Sequence, residues 1–573
     1  MSDTHANESL SFMDAFFLYL EQPGAPLNVA SIAEFEGVIP LDLCRKYVES
    51  KLPLIPRFLM RVAMPTFFIG SPTWQYDQNF DISNHVREIR LQHGTESEWK
   101  SVVSEILSKH LDRNHPLWEM TLVHGLKSQH TGVVVKIHHC LVDGVAGVAL
   151  LNALLDPSSV APTVRRKKLK IPPPPAHEPA ALLDTLINSC FSTAQAFLTV
   201  HSELLRIAER TAIPAANEKH AEGVQACVSP LARIAPLGDL ARLLAELAEP
   251  TERLPFNVLS HGPQNFDWAK LPMSEILAVK QACEATVNDV VLTVLSMALQ
   301  RYAELHNVNV KGRKLRIVVP VNVREDGAAN VTGNQITFLP VDIPWSARNP
   351  REFLSVVQKR VKFSKTAHGA ELIGLIGTLL GALPSSLQAL AGNILSQLPI
   401  SVCNSICTNV HGPKVPLYLL GHKMVSSYPC VPRGGEMGVN CAVMSYDGWL
   451  FVGFTGDSKA IPDLGVLAEL FSSSFAEFRD SLSVAIPKPV SMPKIRKPRA
   501  KRKVAVARTK SALAAEVTPI FEAVPETVVE SGSVESFGFE SSSAENSGVE
   551  NSGAENSSEE AIAPAELALA AGD

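Results

Sequence analysis

Several features that sort proteins at a glance are scarce or missing from this 573-residue sequence. Cysteine is sparse and scattered, with nine residues at 44, 140, 190, 227, 283, 403, 407, 430 and 441 and no pair of C-x-x-C units. A structural zinc site is therefore not expected, and the thiols read as the reduced groups of a cytoplasmic protein. No continuous apolar stretch reaches the roughly 18–20 residues that span a bilayer. Leu372–Leu383 stops at Pro384-Ser385-Ser386, and Thr185–Val200 is too polar. Met1–Leu10 lacks a basic segment followed by an apolar one, so no secretory signal is visible. Also absent are a G-x-S-x-G elbow, a G-x-x-x-x-G-K-S/T loop and a G-x-G-x-x-G fingerprint. Their absence counts against an α/β-hydrolase esterase and leaves nucleotide hydrolysis and dinucleotide binding without support.

Charge is missing by region. The formal net charge is only −6, against a surface built throughout for nucleic acid. Lys488–Lys510 carries ten Lys or Arg and no acid, whereas Ser511–Asp573 carries thirteen acids and no base. Upstream, the apolar share of 46% permits a sizeable core. Residues 1–155 alternate helical and strand patterns, with Trp118–Val123 and Gly132–Ile137 reading as adjacent strands and Val145–Leu155 as a helix. Residues 156–250 open with Arg165-Arg166-Lys167-Lys168 and a proline run, a linker followed by helices near Leu182–Leu198 and Leu240–Leu247. A second α/β pattern fills 251–486: a helix over Lys280–Leu305, a strand over Leu315–Val323, a turn at Asn409–Pro413 and paired strands across Ala442–Phe454. Residues 487–573 are a low-complexity tail, basic and then acidic, expected to be disordered.

The chemistry-bearing stretch is Lys136-Ile137-His138-His139-Cys140-Leu141-Val142-Asp143-Gly144. A β-branched strand delivers two histidines to its end. Successive strand residues point to opposite faces, so His138 and His139 do not both address one small site from an extended backbone, which weakens a metal-chelate reading. A single imidazole there suits general-base work, since its unperturbed pKa of about 6.5 leaves it mostly neutral near pH 7. Asp143 either holds the imidazole, pins the loop through an arginine, or caps a helix. Gly144 lets the chain bend where that helix starts. The whole spacing, H-H-x-x-x-D-G after a β run, favours catalysis over a pair of satisfied core histidines.

This motif resembles that of the acyltransferases related to chloramphenicol acetyltransferase and to peptide-synthetase condensation domains. Other residues narrow the resemblance to the bacterial wax ester synthase/acyl-CoA:diacylglycerol acyltransferase family. In the first half they are Leu10-Ser11, Asp14-Ala15, Leu20-Glu21, Leu111-Asp112-Arg113 and Pro116-Leu117-Trp118-Glu119-Met120. In the second half they are Ala285–Leu292, Val319-Pro320-Val321 with Arg324, Gly333-Asn334, Leu339-Pro340, Asn409-Val410, Gly412-Pro413, Ser445-Tyr446, Asp457 and Pro462-Asp463. They follow the family's order over roughly residues 8–483. The sequence departs from the pattern at His411, where the family usually has proline, and at Pro56-Arg57-Phe58-Leu59, with Arg61 retained.

The resemblance implies an α/β fold of two chloramphenicol-acetyltransferase-like lobes with an active-site tunnel between them. It implies transfer of a fatty acyl group from acyl-CoA to a long-chain alcohol, giving a wax ester, or to diacylglycerol, giving triacylglycerol. His139 is then the base, His138 supports position and packing, and Asp143 is mainly structural, with Arg61 and Arg324 as candidate partners for it. Acyl-CoA enters as co-substrate, and no metal or other cofactor is expected. Asn288 is the candidate oxyanion donor, with an Asx cap on the following helix as the alternative; Asp289 reads as structural. Trp118 reads as packing around the site, and Asn409, Gly412 and Pro413 as shaping a loop near the tunnel. The competing expectation is a non-catalytic lipid-inclusion or membrane-surface protein on the same fold. The Lys488–Lys510 run reads either as a solvated linker or as a dock for anionic phospholipid, which would place the protein peripherally on the inner membrane or on lipid inclusions. Nucleic acid is a poorer fit, because no aromatic residue interleaves the basic ones.

Overall fold

The computed structural model describes residues 8–65, 71–142, 144–161, 169–173, 246, 249, 251–259, 262–322, 336–347, 349–366, 374, 377, 380–381, 383–397 and 403–482. The expected helix at Leu182–Leu198, that at Leu240–Leu247 apart from the helical Glu246, the charged tail, Asp143 and Arg324 lie outside the described residues. Met1–Ser491 forms one compact unit.

In its first part the elements are α1 (Phe12–Leu20), β1 (Asn28–Phe35), α2 (Leu41–Lys51), β2 (Met60–Ala63), β3 (Thr73–Tyr76), α3 (Ile82–His85), β4 (Val86–Arg90), α4 (Glu96–Ser108), β5 (Trp118–His124), β6 (Thr131–His138) and α5 (Gly144–Leu154). In the second part they are β7 (Gln264–Pro272), α6 (Met273–Ala282), α7 (Val287–Leu305), β8 (Lys314–Asn322), β9 (Ile336–Pro344), α8 (Pro350–Thr366), α9 (Ser385–Gln397), β10 (Ser405–His411), β11 (Tyr418–Leu419), β12 (His422–Cys430), β13 (Val439–Tyr446), β14 (Trp449–Asp457) and α10 (Leu464–Ser481).

Among the described residues these strands make two six-stranded sheets and a small β2–β3 pair. The first sheet runs β11-β12-β1-β6-β5-β4 and the second β7-β14-β13-β10-β8-β9. The chain crosses between them: β12, from the second half of the sequence, pairs antiparallel with β1, which on its other side pairs with β6. Each sheet has its own core. Ile32, Val48, Trp118, Leu122, Val134 and Met424 belong to the first, and Leu292, Ile317, Val341, Val452 and Phe471 to the second. A smaller core beneath α1 joins Leu10, Leu18, Trp74, Leu117 and Cys140.

Helix α4 buries Trp99, Val103, Ile106 and Leu107, the one-face spacing of an amphipathic helix. Its serines also cover the exposed edge of the second sheet. The Ser108 hydroxyl accepts the Gln264 N–H at 2.8 Å, and the Ser104 hydroxyl accepts that of Phe266 at 3.1 Å. Satisfying edge-strand amides in this way removes a pairing template from β7.

Two sequence expectations need correction. The single helix over Lys280–Leu305 is two helices, α6 and α7, broken where Glu284 adopts φ 50° and Thr286 opens a new cap. Together they meet the length and composition of a bent membrane span, but α7 is built into the second core, with Val290–Leu299 buried. Among the described residues no single helix is long and apolar enough to cross a membrane. The turn expected at Asn409–Pro413 begins later: Asn409, Val410 and His411 complete β10, in parallel register with Val443, Met444 and Ser445. The β-branched and apolar partner strand holds them extended, and only Gly412-Pro413 departs.

Candidate active site

Strand β6 delivers the histidine pair, and its neighbours fix where it stops. The His138 N–H donates to the Leu117 carbonyl at 3.0 Å, and the His139 N–H donates to the Leu27 carbonyl at 2.9 Å. The backbone then turns, the Leu141 N–H closing on the His138 carbonyl at 3.0 Å, before α5 begins at Gly144. His138 is the last residue of the strand and His139 the first of the turn, and the two side chains meet different neighbours. The imidazole of His139 is half-buried and stacked on Phe17, ring centroids 3.9 Å apart and 16° from parallel.

His138 is sealed, 2% exposed. Its Nδ1 accepts the Cys140 N–H at 3.2 Å, while Nε2 lies 3.5 Å from Glu21 Oε1. With Nδ1 used as an acceptor, the ring proton of the neutral form sits on Nε2, facing the carboxylate.

Glu21 follows α1 directly and gathers further donors. Its Oε1 accepts the Leu27 N–H at 3.1 Å and lies 3.3 Å from His110 Nδ1, while Arg113 reaches Oε2 at 2.7 Å. Burial acts to raise this carboxyl, but the contacts with His110, His138 and Arg113 outweigh it and hold it well below the usual carboxylate range. His110 has acceptors at both ring nitrogens, since Nε2 lies 2.9 Å from the Pro23 carbonyl. Only the imidazolium donates at both, and the Glu21 contact, opposed by burial, raises His110 above its ordinary value.

The other expected residues fall into separate places. Trp118 opens β5, buried, with Nε1 donating to the Phe58 carbonyl at 2.9 Å and its ring stacked between Phe58 and His85. Arg61 is exposed on β2, opposite Gln75. Asn288 lies half-buried in the first turn of α7. The cap of that helix is already filled: the Thr286 hydroxyl accepts the Asp289 N–H and the Asp289 carboxylate accepts the Thr286 N–H. Asn288 is therefore not the cap, and its Oδ1, shielded from solvent, has no partner among the described residues. Gly412 passes so close to the Ser445 carbonyl that a Cβ would sit 2.3 Å from its oxygen.

Sequence reasoning gave no site role to three residues that the structure brings to the pair, one of them, Glu21, being among the marks of the resemblance. Phe17 and Glu21 are four apart, a one-face helical spacing that was readable, although neither spacing nor composition says what that face meets. The third is Asn28, opposite His138 across β1 and β6 and 2% exposed, whose side-chain nitrogen and oxygen both lack partners among the described residues. No group of three or more His, Cys, Asp or Glu among the described residues is arranged to hold a metal ion.

Two mixed sheets linked by a crossed strand, with a histidine pair where a central strand of one ends, make up a fold of the condensation-domain type. The wax ester synthase/diacylglycerol acyltransferase from Marinobacter aquaeolei VT8 has this fold, with a TM-score of 0.55 at 21% identity over 83% of this chain and 100% of that one. So does the first condensation domain of the calcium-dependent antibiotic synthetase, with a TM-score of 0.52 at 15% identity over 84% of this chain and 98% of that one. The family model for the wax ester synthase/diacylglycerol acyltransferase catalytic domain matches residues 10–291, and that for the WS/DGAT C-terminal domain matches residues 332–479. A Mycobacterium tuberculosis protein named as a diacylglycerol O-acyltransferase is 30% identical over 482 residues, 82% of this chain and 90% of its own. The chain belongs to the wax ester synthase/diacylglycerol acyltransferase family. It is an acyl-CoA-dependent O-acyltransferase.

Proposed function

We propose that the enzyme moves a fatty acyl group from acyl-CoA to the hydroxyl of diacylglycerol or of a long-chain alcohol by direct transfer, with His139 as the general base. The neutral imidazole takes the hydroxyl proton as that oxygen attacks the thioester carbonyl carbon. The tetrahedral oxyanion collapses, the C–S bond breaks, and the imidazolium returns its proton to the departing CoA thiolate. The products are an ester and free CoA, and no acyl-enzyme is needed. The observation that carries this reading is the half-buried His139, its backbone N–H held at the strand end by the Leu27 carbonyl and its ring stacked against Phe17. The name of the Mycobacterium relative supports diacylglycerol as an acceptor.

Asn288 is assigned as an oxyanion donor from the second half of the chain. The filled cap at Thr286 and Asp289 supports this, because the side chain has no structural duty at the helix start. Removing such a donor typically costs about 2.7–4 kcal/mol of transition-state stabilisation, so Asn288→Ala should lower kcat by about two to three orders of magnitude. Reactants must meet with their reacting atoms about 3–3.5 Å apart, which calls for an apolar passage admitting two long chains. The basic Lys488–Lys510 run is assigned to an anionic lipid surface, giving peripheral residence at the inner membrane or lipid inclusions.

The test offers palmitoyl-CoA with hexadecanol and diolein together, follows free thiol release, and separates the products by thin-layer chromatography. His139→Ala should remove nearly all release while remaining folded. A purified variant retaining more than about a few per cent of wild-type release would overturn the base assignment. Truncation after Ile486 should abolish binding to anionic liposomes in low salt; unchanged binding would remove the surface assignment.

A further inference from the structure

The turn that leaves α1 touches the motif at three points, none of which a substrate needs to supply. Phe17, on the last turns of the helix, stacks on the His139 ring at 3.9 Å. Four residues on, Glu21 faces His138 Nε2 at 3.5 Å. The same carboxylate oxygen accepts the Leu27 N–H at 3.1 Å, and the Leu27 carbonyl accepts the His139 N–H at 2.9 Å. One acid thus faces the side chain of one histidine and holds, through a single residue, the backbone of the next.

The donor inventory says why an acid is required. Leu27 N–H, His110 Nδ1 and Arg113 present hydrogens to Glu21, and His138 Nε2 stands 3.5 Å from its Oε1, an ion-pair distance longer than a made hydrogen bond. A carboxylate accepts at both oxygens and has no hydrogen of its own; a glutamine would turn its NH₂ toward one or more of these donors. Reversing the His138 ring would not help, because that would abandon the Cys140 N–H.

We propose that Glu21, with Phe17, is the positioning residue of the reaction: it stands against the Nε2 edge of His138 and fixes the placement of His139 without touching substrate. The inference rests on His139 being the base. Misplacing a reacting group by about 1 Å can cost about 10²-fold in rate, which sets the scale expected here.

The experiment measures kcat and KM for palmitoyl-CoA with diolein in Glu21→Gln, Glu21→Asp and Phe17→Leu, alone and combined with His139→Ala, with circular dichroism and Tm for each. Glu21→Gln should lower kcat about 10²-fold with KM nearly unchanged. Glu21→Asp, which keeps the charge, should recover at least about tenfold of that loss, and Phe17→Leu should lower kcat alone. In the His139→Ala background Glu21→Gln should add no further loss, as expected for groups that act as a unit. A folded Glu21→Gln enzyme with wild-type kcat overturns the proposal, as does Glu21→Asp no faster than Glu21→Gln, or a full extra loss in the His139→Ala background. Should Glu21→Gln not fold, Phe17→Leu and Glu21→Asp decide: wild-type kcat in both overturns it. His139→Ala active beside an impaired Glu21→Gln would instead overturn the base assignment and leave the contact with His138 as the requirement.

Discussion

Replacing Arg433 by methionine should be among the costliest single changes in the second half of the chain. Arg433 is fully buried and its ion-pair partner Asp457 is 1% exposed, with 2.7 Å between them. The guanidinium also donates to the Gly262 carbonyl at 3.0 Å, and Asp457 accepts the Gly262 N–H at 2.9 Å and the Lys459 N–H at 2.8 Å. Gly262 has no room for a side chain, as a Cβ would lie 2.4 Å from the carboxylate. Methionine fills the volume but leaves a carboxylate buried beside an orphaned carbonyl. Removing one partner of such a pair costs about 3–5 kcal/mol, whereas exposed pairs are worth about 0–1. Burial acts to raise Asp457, but the Lys459 N–H, the Arg433 charge and the Gly262 N–H hold it below its ordinary value. Such a depressed acid stabilises the fold above its unfolded pKa, and that contribution is lost as pH falls through the folded one. Arg433→Met should therefore lose most near neutrality and least in acid. Urea unfolding at pH 7 and well below the ordinary carboxylate value of 3.8 measures this, with midpoints converted through an unchanged slope. A loss below about 1 kcal/mol at pH 7 would refute the reasoning, since it would equate this pair with one in water.

Three further outcomes follow from burial and charge. Lys136, 1% exposed, donates to the Ile106 and Lys109 carbonyls at the end of α4, so Lys136→Met should cost about 1–3 kcal/mol for each carbonyl left unsatisfied; urea unfolding that matches wild type would contradict it. Burial pushes the Cys44, Cys403 and Cys430 thiols up to about 12, and Cys140 well above its ordinary value, whereas Cys283 is only half-buried. Among the described thiols Cys283 should thus be alkylated first by iodoacetamide, and peptide mapping that found Cys140 modified earlier would be inconsistent with the structure. His110, raised by its Glu21 contact, contributes stability below its ordinary pKa that is lost as pH rises through the raised value. An NMR titration of its ring should return toward the ordinary histidine range in Glu21→Gln, and no change would remove the contact.

What the sequence discloses is what neighbours along the chain decide. The β5–β6 and β13–β14 pairs were readable because each strand meets the next one in order across a short turn, and β8 because its β-branched run has no helical alternative. The histidine pair was readable because its spacing is local. Residues that act across long separations were not. Leu20-Glu21 stood out as a family mark, yet its meeting with His138 depends on a helix exit and a strand end more than a hundred residues apart. The extended backbone at Asn409 comes from partner strand β13, which turn-forming residues nearby could not announce. The break before α7 comes from a capping box at Thr286 and Asp289, a signature present in the sequence but overridden there by the apolar periodicity on either side.

The crossed strand bears on how the molecule is made. β1, which carries Leu27 at its threshold and runs beside the histidine strand, is flanked on its far side by residues 424–430. A ribosome releasing this polypeptide delivers the histidine pair some 290 residues before the strand that completes its sheet. Throughout that interval β1 has an open edge, a template for pairing with a neighbouring nascent copy. Expressing the first 300 residues by themselves should accordingly yield an insoluble fragment, and supplying the remainder as a separate polypeptide is the arrangement that could restore it.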